Sequence, residues 1–136
     1  MDLHAAGVRL RNAGQYSAAL EILGRAAAAA QAGGAADLGI RIAALTGNVQ
    51  ARGGRVSEGI AMVRAALARA LERNRPDLAS EAYMRLADSI ERTSDLTAAV
   101  DAFRGGLELC ERNGLPVATS VCLMCMSAAL FRTGAW

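Results

Sequence analysis

The sequence predicts an all-α fold, a right-handed α-solenoid of antiparallel helical hairpins in about three and a half repeats. Three observations predict it. First, the phrase NAGQYSAAL from Asn12 returns as RGGRVSEGI from Arg52, as RTSDLTAAV from Arg92 and as RTGAW from Arg132, on a beat of 40 residues. Second, apolar residues between these phrases fall at three- and four-residue steps, as in Ile60, Val63, Leu67 and Leu71, or Val100, Phe103, Leu107 and Cys110. That spacing lines one face of a helix, and no segment alternates with period two. Third, the chain is 53% hydrophobic but only 4% aromatic, with much alanine. Small side chains suit closely packed helices and argue against a β-sandwich.

Two columns of turn residues divide the chain. Gly14, Gly54, Ser94 and Gly134 end one helix of each repeat at a tight turn, where tolerance of positive φ is wanted. Gly34, Asn74 and Gly114 form the second column, and Pro76 and Pro116 follow it by two residues, where proline suits the first turn of a new helix. Seven helices are therefore predicted, near 2–13, 16–33, 36–52, 56–73, 76–93, 96–113 and 116–132. The 136 residues make one domain with a modest core, in units of about 1–34, 35–74, 75–114 and a shortened 115–136. A unit that stops in mid-phrase is expected of a piece cut from a longer array.

Each helix has its own place in this scheme. The first carries Gly7, a point of close approach, and Leu10, which supplies bulk; the second answers with Ala19 and Leu23. The third repeats Gly47, but Gln50 stands where a large apolar residue belongs, so the second hairpin is expected to pack least well. The fourth brings Gly59 and Val63, the fifth Ala87 and Ile90, and the sixth Ala99 and Phe103. The seventh ends the series with Ser127 and Leu130. Its residues Leu123, Met126, Ser127 and Leu130 occupy columns that in earlier units meet a following helix, so self-association through this end is expected.

Charge and chemistry narrow the function classes. Fifteen basic residues, all arginine, balance thirteen acidic ones to a net charge of +2, and the two signs are interleaved along the chain. A nucleic-acid binder would gather its basic residues on one face or in one run, so direct nucleic-acid binding is not expected. No apolar run approaches the ~20 residues that cross a bilayer, and the N-terminus lacks the pattern of a signal peptide. The chain is read as cytoplasmic, with no membrane association. Cys122 and Cys125 have CxxC spacing, but Cys110 and Cys122 fall in columns of small core residues, and His4 is the lone histidine. A zinc site lacks ligands, and a reversible Cys122–Cys125 redox pair is the minor alternative. No serine or cysteine pairs with His4 in a catalytic spacing, and GGRVSEG and AGGAADLG lack the GK[ST] ending of a phosphate loop. Glu81, Asp88 and Glu91 read as a solvated face, with Asp88 and Arg92 an ordinary i,i+4 pair. No catalytic, cofactor-binding or metal residue is expected.

The columns resemble the tetratricopeptide repeat. The third unit reads Tyr83, Leu86-Ala87, Ile90, Ser94, Leu96, Ala99, Phe103, Gly106; the first gives Gly7, Leu10, Gly14, Tyr16, Ala19, Leu23, Ala26, and Trp136 stands at the fourth unit's tyrosine. The period departs from the usual ~34 residues of that family, as longer helices would require. Repeat length, alanine and arginine richness and the GLE…ERNGLP turns are similar to the helical-repeat regions of large bacterial LuxR-type, ATP-dependent transcription regulators.

The resemblance implies that first helices line a concave groove. That face would carry His4, Val8 and Asn12, then Arg41, Ala44, Asn48 and Arg52, then Glu81, Met84, Asp88 and Arg92, and finally Val121, Met124, Ala128 and Arg132. Arg52, Arg92 and Arg132 would form a ladder along one rim, a site for an anionic or carboxylate-bearing peptide flanked by adaptable methionines. The alternative is that these arginines serve the helix C-termini. The lysines of the chaperone-tail carboxylate clamp are absent. The implied function is a non-catalytic protein–protein interaction module, the sensing region of a LuxR-type regulator. A stand-alone adaptor is the first alternative, and direct nucleic-acid binding through the arginines is the second. The implied partner is a protein or peptide, or another domain of the same parent chain.

Overall fold

The computed structural model describes residues 2–134, and these are almost wholly helical. Seven α-helices run as α1 (Leu3–Asn12), α2 (Tyr16–Ala32), α3 (Ala36–Arg52), α4 (Val56–Glu72), α5 (Pro76–Ile90), α6 (Leu96–Arg112) and α7 (Pro116–Thr133). Each packs against the next in sequence, and α3 packs also against α5. Trp136, expected to stand in for a tyrosine, lies outside the described residues.

The turn columns are where the sequence puts them. Gly14, Gly34, Gly54, Gly114 and Gly134 all have positive φ, as do the two non-glycine members, Asn74 at 52° and Ser94 at 65°. Helices α1, α2, α3, α4 and α6 end in the same six-to-one bond, from the amide of Gln15, Ala35, Arg55, Arg75 or Leu115 to the carbonyl five residues back. That bond satisfies carbonyls the helix would otherwise leave orphaned. The end of α5 differs. Helix was expected to 93, but Glu91–Thr93 tighten into a 3₁₀ turn, where the Thr93 hydroxyl donates to the Ile90 carbonyl at 2.7 Å.

The core forms two clusters of buried side chains. One joins Leu23 of α2 to Ile42, Leu45 and Val49 of α3; the other runs from Ile40 through Val63, Leu86 and Phe103 to Ala129 of α7. The expectation that the second pair packs least well is overturned. A Cβ at Gly47 would lie 2.6 Å from the Gly59 carbonyl oxygen, and one at Gly59 would lie 2.3 Å from that of Gly47. The α3 and α4 backbones therefore touch, and two glycines matter more there than one missing apolar side chain. Gln50 does leave a trace, since its buried Oε1 has no hydrogen-bond partner.

The α7 end is the most exposed apolar surface. Only Cys122 and Ala129 of this helix are buried, while Val117, Leu123, Met124 and Phe131 are exposed. Met126 and Leu130, expected to face outward, instead pack against the second cluster. The reading that no segment is apolar enough for a bilayer also needs correction. Over 18 residues α7 has a mean hydropathy of 1.3, which is enough by length and composition alone.

Candidate functional site

A polar cluster sits between α3 and α5, and its centre is Asn48. This side chain is fully buried. Its Oδ1 accepts from Arg11 Nε at 2.7 Å, and its Nδ2 donates to Asp88 Oδ2 at 2.7 Å and to Ser89 Oγ at 3.0 Å. Arg52 closes on the same carboxylate with two bonds, Nε to Oδ2 at 2.9 Å and an Nη to Oδ1 at 2.5 Å. Burial raises the Asp88 pKa, but hydrogen bonds from Arg52 and Asn48 outweigh it and the net shift is downward. Arg52 shifts upward because it bonds Asp88, against the opposing effect of burial. Arg11 falls to about 10, chiefly through burial and then through the nearby Arg85 and Arg52.

Other residues of the expected face pair in the same cross-helix manner. Arg41 on α3 makes a two-bond ion pair with Glu81 on α5 at 2.9 and 3.0 Å. Arg132 of α7 bonds Glu91. Arg92 reaches Asp88 only at 4.0 Å. Along the expected ladder Arg52 and Arg132 are held by acids of the neighbouring repeat, and Arg92 alone is loosely engaged. The acids are correspondingly more than a solvated face. Met84 lines the site, whereas Met124 is 66% exposed and lies apart from it.

Between α5 and α7 the helices part and leave a trough. Its first half is a hollow of about 540 Å³ containing Arg11, Arg52, Arg85, Arg92 and Arg132 with Glu81, Asp88 and Glu91. Its second half, about 550 Å³, is mostly apolar, lined by Leu115, Pro116, Val117 and Val121 beside Asp77 and Ser80. Glu81 and Met84 belong to both, so the halves are continuous. The chain matches no family model, no curated protein and no solved structure.

Two arginines of the trough escaped the sequence reading, Arg11 and Arg85. A signal for Arg85 exists. Forty residues earlier its column holds Leu45, which is fully buried, so an arginine there breaks the pattern. Its pKa is lowered, mainly by burial, and its guanidinium makes no hydrogen bond or ion pair among the described residues.

The remaining candidates have other surroundings. Cys110 and Cys122 are buried free thiols that serve as small core residues, and Cys122 lies beside Cys110 across the α6–α7 contact. Burial, followed by that neighbour, pushes the Cys122 thiol up to about 12, which makes it a poor nucleophile. His4 is half-buried and its pKa is lowered, by burial first and then by Arg41. A larger hollow of about 740 Å³ lies over α2, α3 and α4; it is lined mainly by alanine and glycine, and its three charged residues come from the end of α4. Among the described residues no three His, Cys, Asp or Glu side chains converge as a metal site would need.

Proposed function

We propose that this chain is a non-catalytic protein–protein interaction module, a right-handed array of tetratricopeptide-like helical hairpins whose first helices present the binding face. The observation that carries the reading is the open α5/α7 trough, with a cationic half and an apolar half sharing Met84. An enzyme cleft would gather a nucleophile, a base and an orienting group at hydrogen-bond reach. This trough instead offers guanidinium groups and apolar side chains, the materials of recognition. The narrower reading, the sensing region of a LuxR-type regulator, draws its support from the repeat length and turn style in the sequence. Three free thiols, two of them neighbours, support a reducing cytoplasmic setting.

The test is site-specific photo-crosslinking in lysate of the source organism. A crosslinker at Met84 or Val121 is expected to trap one defined protein, or another part of the parent chain. The same group at the exposed Ala28 on α2 is expected to trap neither. Equal labelling from all three positions would sink the proposal. Strongly salt-dependent binding to duplex DNA would move the reading to nucleic acid.

A further inference from the structure

We infer that the trough between α5 and α7 receives a polypeptide segment carrying two acidic side chains beside one bulky apolar side chain. This rests on the interaction-module reading above. The charge balance comes first: five arginines face three acids in the cationic half. With Arg11 and Arg52 engaged at Asn48 and Asp88, Arg132 at Glu91 and Glu81 held by Arg41, the cations left for a ligand are Arg85 and the loosely engaged Arg92. Arg85 stands in a column where the preceding repeat buries a leucine, and its guanidinium is partly desolvated with no ion-pair partner among the described residues. A carboxylate entering there would replace lost hydration with charge-assisted hydrogen bonds.

Geometry sets the number of acids and the kind of ligand. Arg85 on α5 and Arg92 in the 3₁₀ turn that follows it lie seven residues apart, roughly 10 Å at helical rise. One carboxylate serves one guanidinium well, so two such positions call for two acids. The other half offers Met84, Val117 and Val121 to an apolar side chain. From Asp77 to Arg92 the trough runs roughly 22 Å, the length of about seven extended residues. Small-molecule sites enclose most of their ligand, whereas this trough stays open along its side with Val117 78% exposed. A polyanionic strand would meet Asp77 and Glu81 in the apolar half. A polypeptide fits both halves.

The experiment pans randomised heptapeptides against the whole chain. One library fixes two glutamates at one end and leucine or phenylalanine at the other, in both orders; a second omits the apolar residue; a third has its terminal carboxylate as sole acid. The first library is expected to enrich. Anisotropy of a labelled winner should weaken about tenfold or more with Arg85→Gln, and comparably with Val121→Asp, at unchanged helical circular dichroism. Arg92→Gln, more exposed, gives a second measurement if Arg85→Gln unfolds. Arg25→Gln on α2 should leave binding unchanged. Equal enrichment of either control library, displacement of the winner by a single-stranded oligonucleotide, or indifference to Arg85 and Arg92 overturns the inference. If no peptide binds while Met84 still crosslinks a protein, the inference fails and the module reading stands.

Discussion

The α3/α5 contact and the α5/α7 gap are built from the same columns one repeat apart, yet one is closed and the other open. Asn48 and Arg52 of α3 meet Asp88 of α5, and the carboxylate draws both helices onto it. One repeat later Asp88 of α5 and Arg92 of the 3₁₀ turn that follows it face Ala128 and Arg132 of α7. The Ala128 side chain has no oxygen to accept from Arg92, and Arg85 stands where the preceding repeat carries a buried leucine, Leu45. A missing carboxylate and a cation in a leucine column mark the open side. The lesson is that a repeat can carry a site simply by failing to repeat at two positions.

The largest expected effect tests the α3/α4 approach, which holds the α3 side of the closed contact in place. Gly59→Ala forces a Cβ to within 2.3 Å of the Gly47 carbonyl, so the α3 and α4 backbones must separate. A loss of about 3 kcal/mol or more is expected, read by urea denaturation. Alanine stands in the equivalent column at Ala99, fully buried in α6. Ala99→Gly should therefore cost far less, and a similar loss at both positions would contradict the close-approach account.

Next in size is Asp88→Ala, which strands Arg52 and the Asn48 amide together. A cost of about 2 kcal/mol is expected for these partly buried groups. Its pH dependence has a definite sign. The folded-state pKa of Asp88 lies below the ordinary 3.8, so the carboxylate's contribution is complete above that value and disappears as pH falls through the lower one. The gap in melting temperature between wild type and Asp88→Asn should hold steady from neutral pH to about 5 and shrink below 3.8. A gap that instead grows with acid would reverse the assignment.

A smaller effect sharpens the open side. Ala128→Asp supplies the missing acceptor to Arg92, and stability should change by less than about 1 kcal/mol. Peptide binding should fall with it, since the new carboxylate competes for the cation the ligand needs. The smallest expected change in stability concerns the outer face of α7. Leu123→Gln with Met124→Gln should stay within about 0.5 kcal/mol of wild type, and if wild type self-associates through α7, as the sequence predicts, sedimentation should show the double variant monomeric. Unchanged association in the double variant would place self-contact elsewhere.

Helices and turns were legible because they are local: seven helices fall within a few residues of the spacing-based boundaries, and Asn74 and Ser94 take the positive φ that their columns imply. Packing was less legible where two weak cues opposed each other. Gln50 suggested looseness between α3 and α4, but the tightness comes from Gly47 and Gly59 acting together, which neither shows alone. On the expected face the long-range ion pairs went unread: Arg41, Arg52 and Arg132 are each bonded to an acid 36 to 41 residues away. Such pairs are invisible to i,i+4 reasoning, although Arg41 and Glu81, one full period apart, could have been found by comparing charges between columns.

Asn48 also acts as a ruler. Its amide is buried, and its oxygen and nitrogen are both committed, to Arg11 on one side and to Asp88 and Ser89 on the other. Sliding α3 along α5 by one turn, about 5.4 Å, would break the bonds to Asp88 and Ser89 together and leave the buried amide nitrogen without those partners. The two helices can rock about this point but cannot shear past it. Any strain that a ligand imposes on α5 is therefore handed to α3 as a tilt, with the register between them preserved.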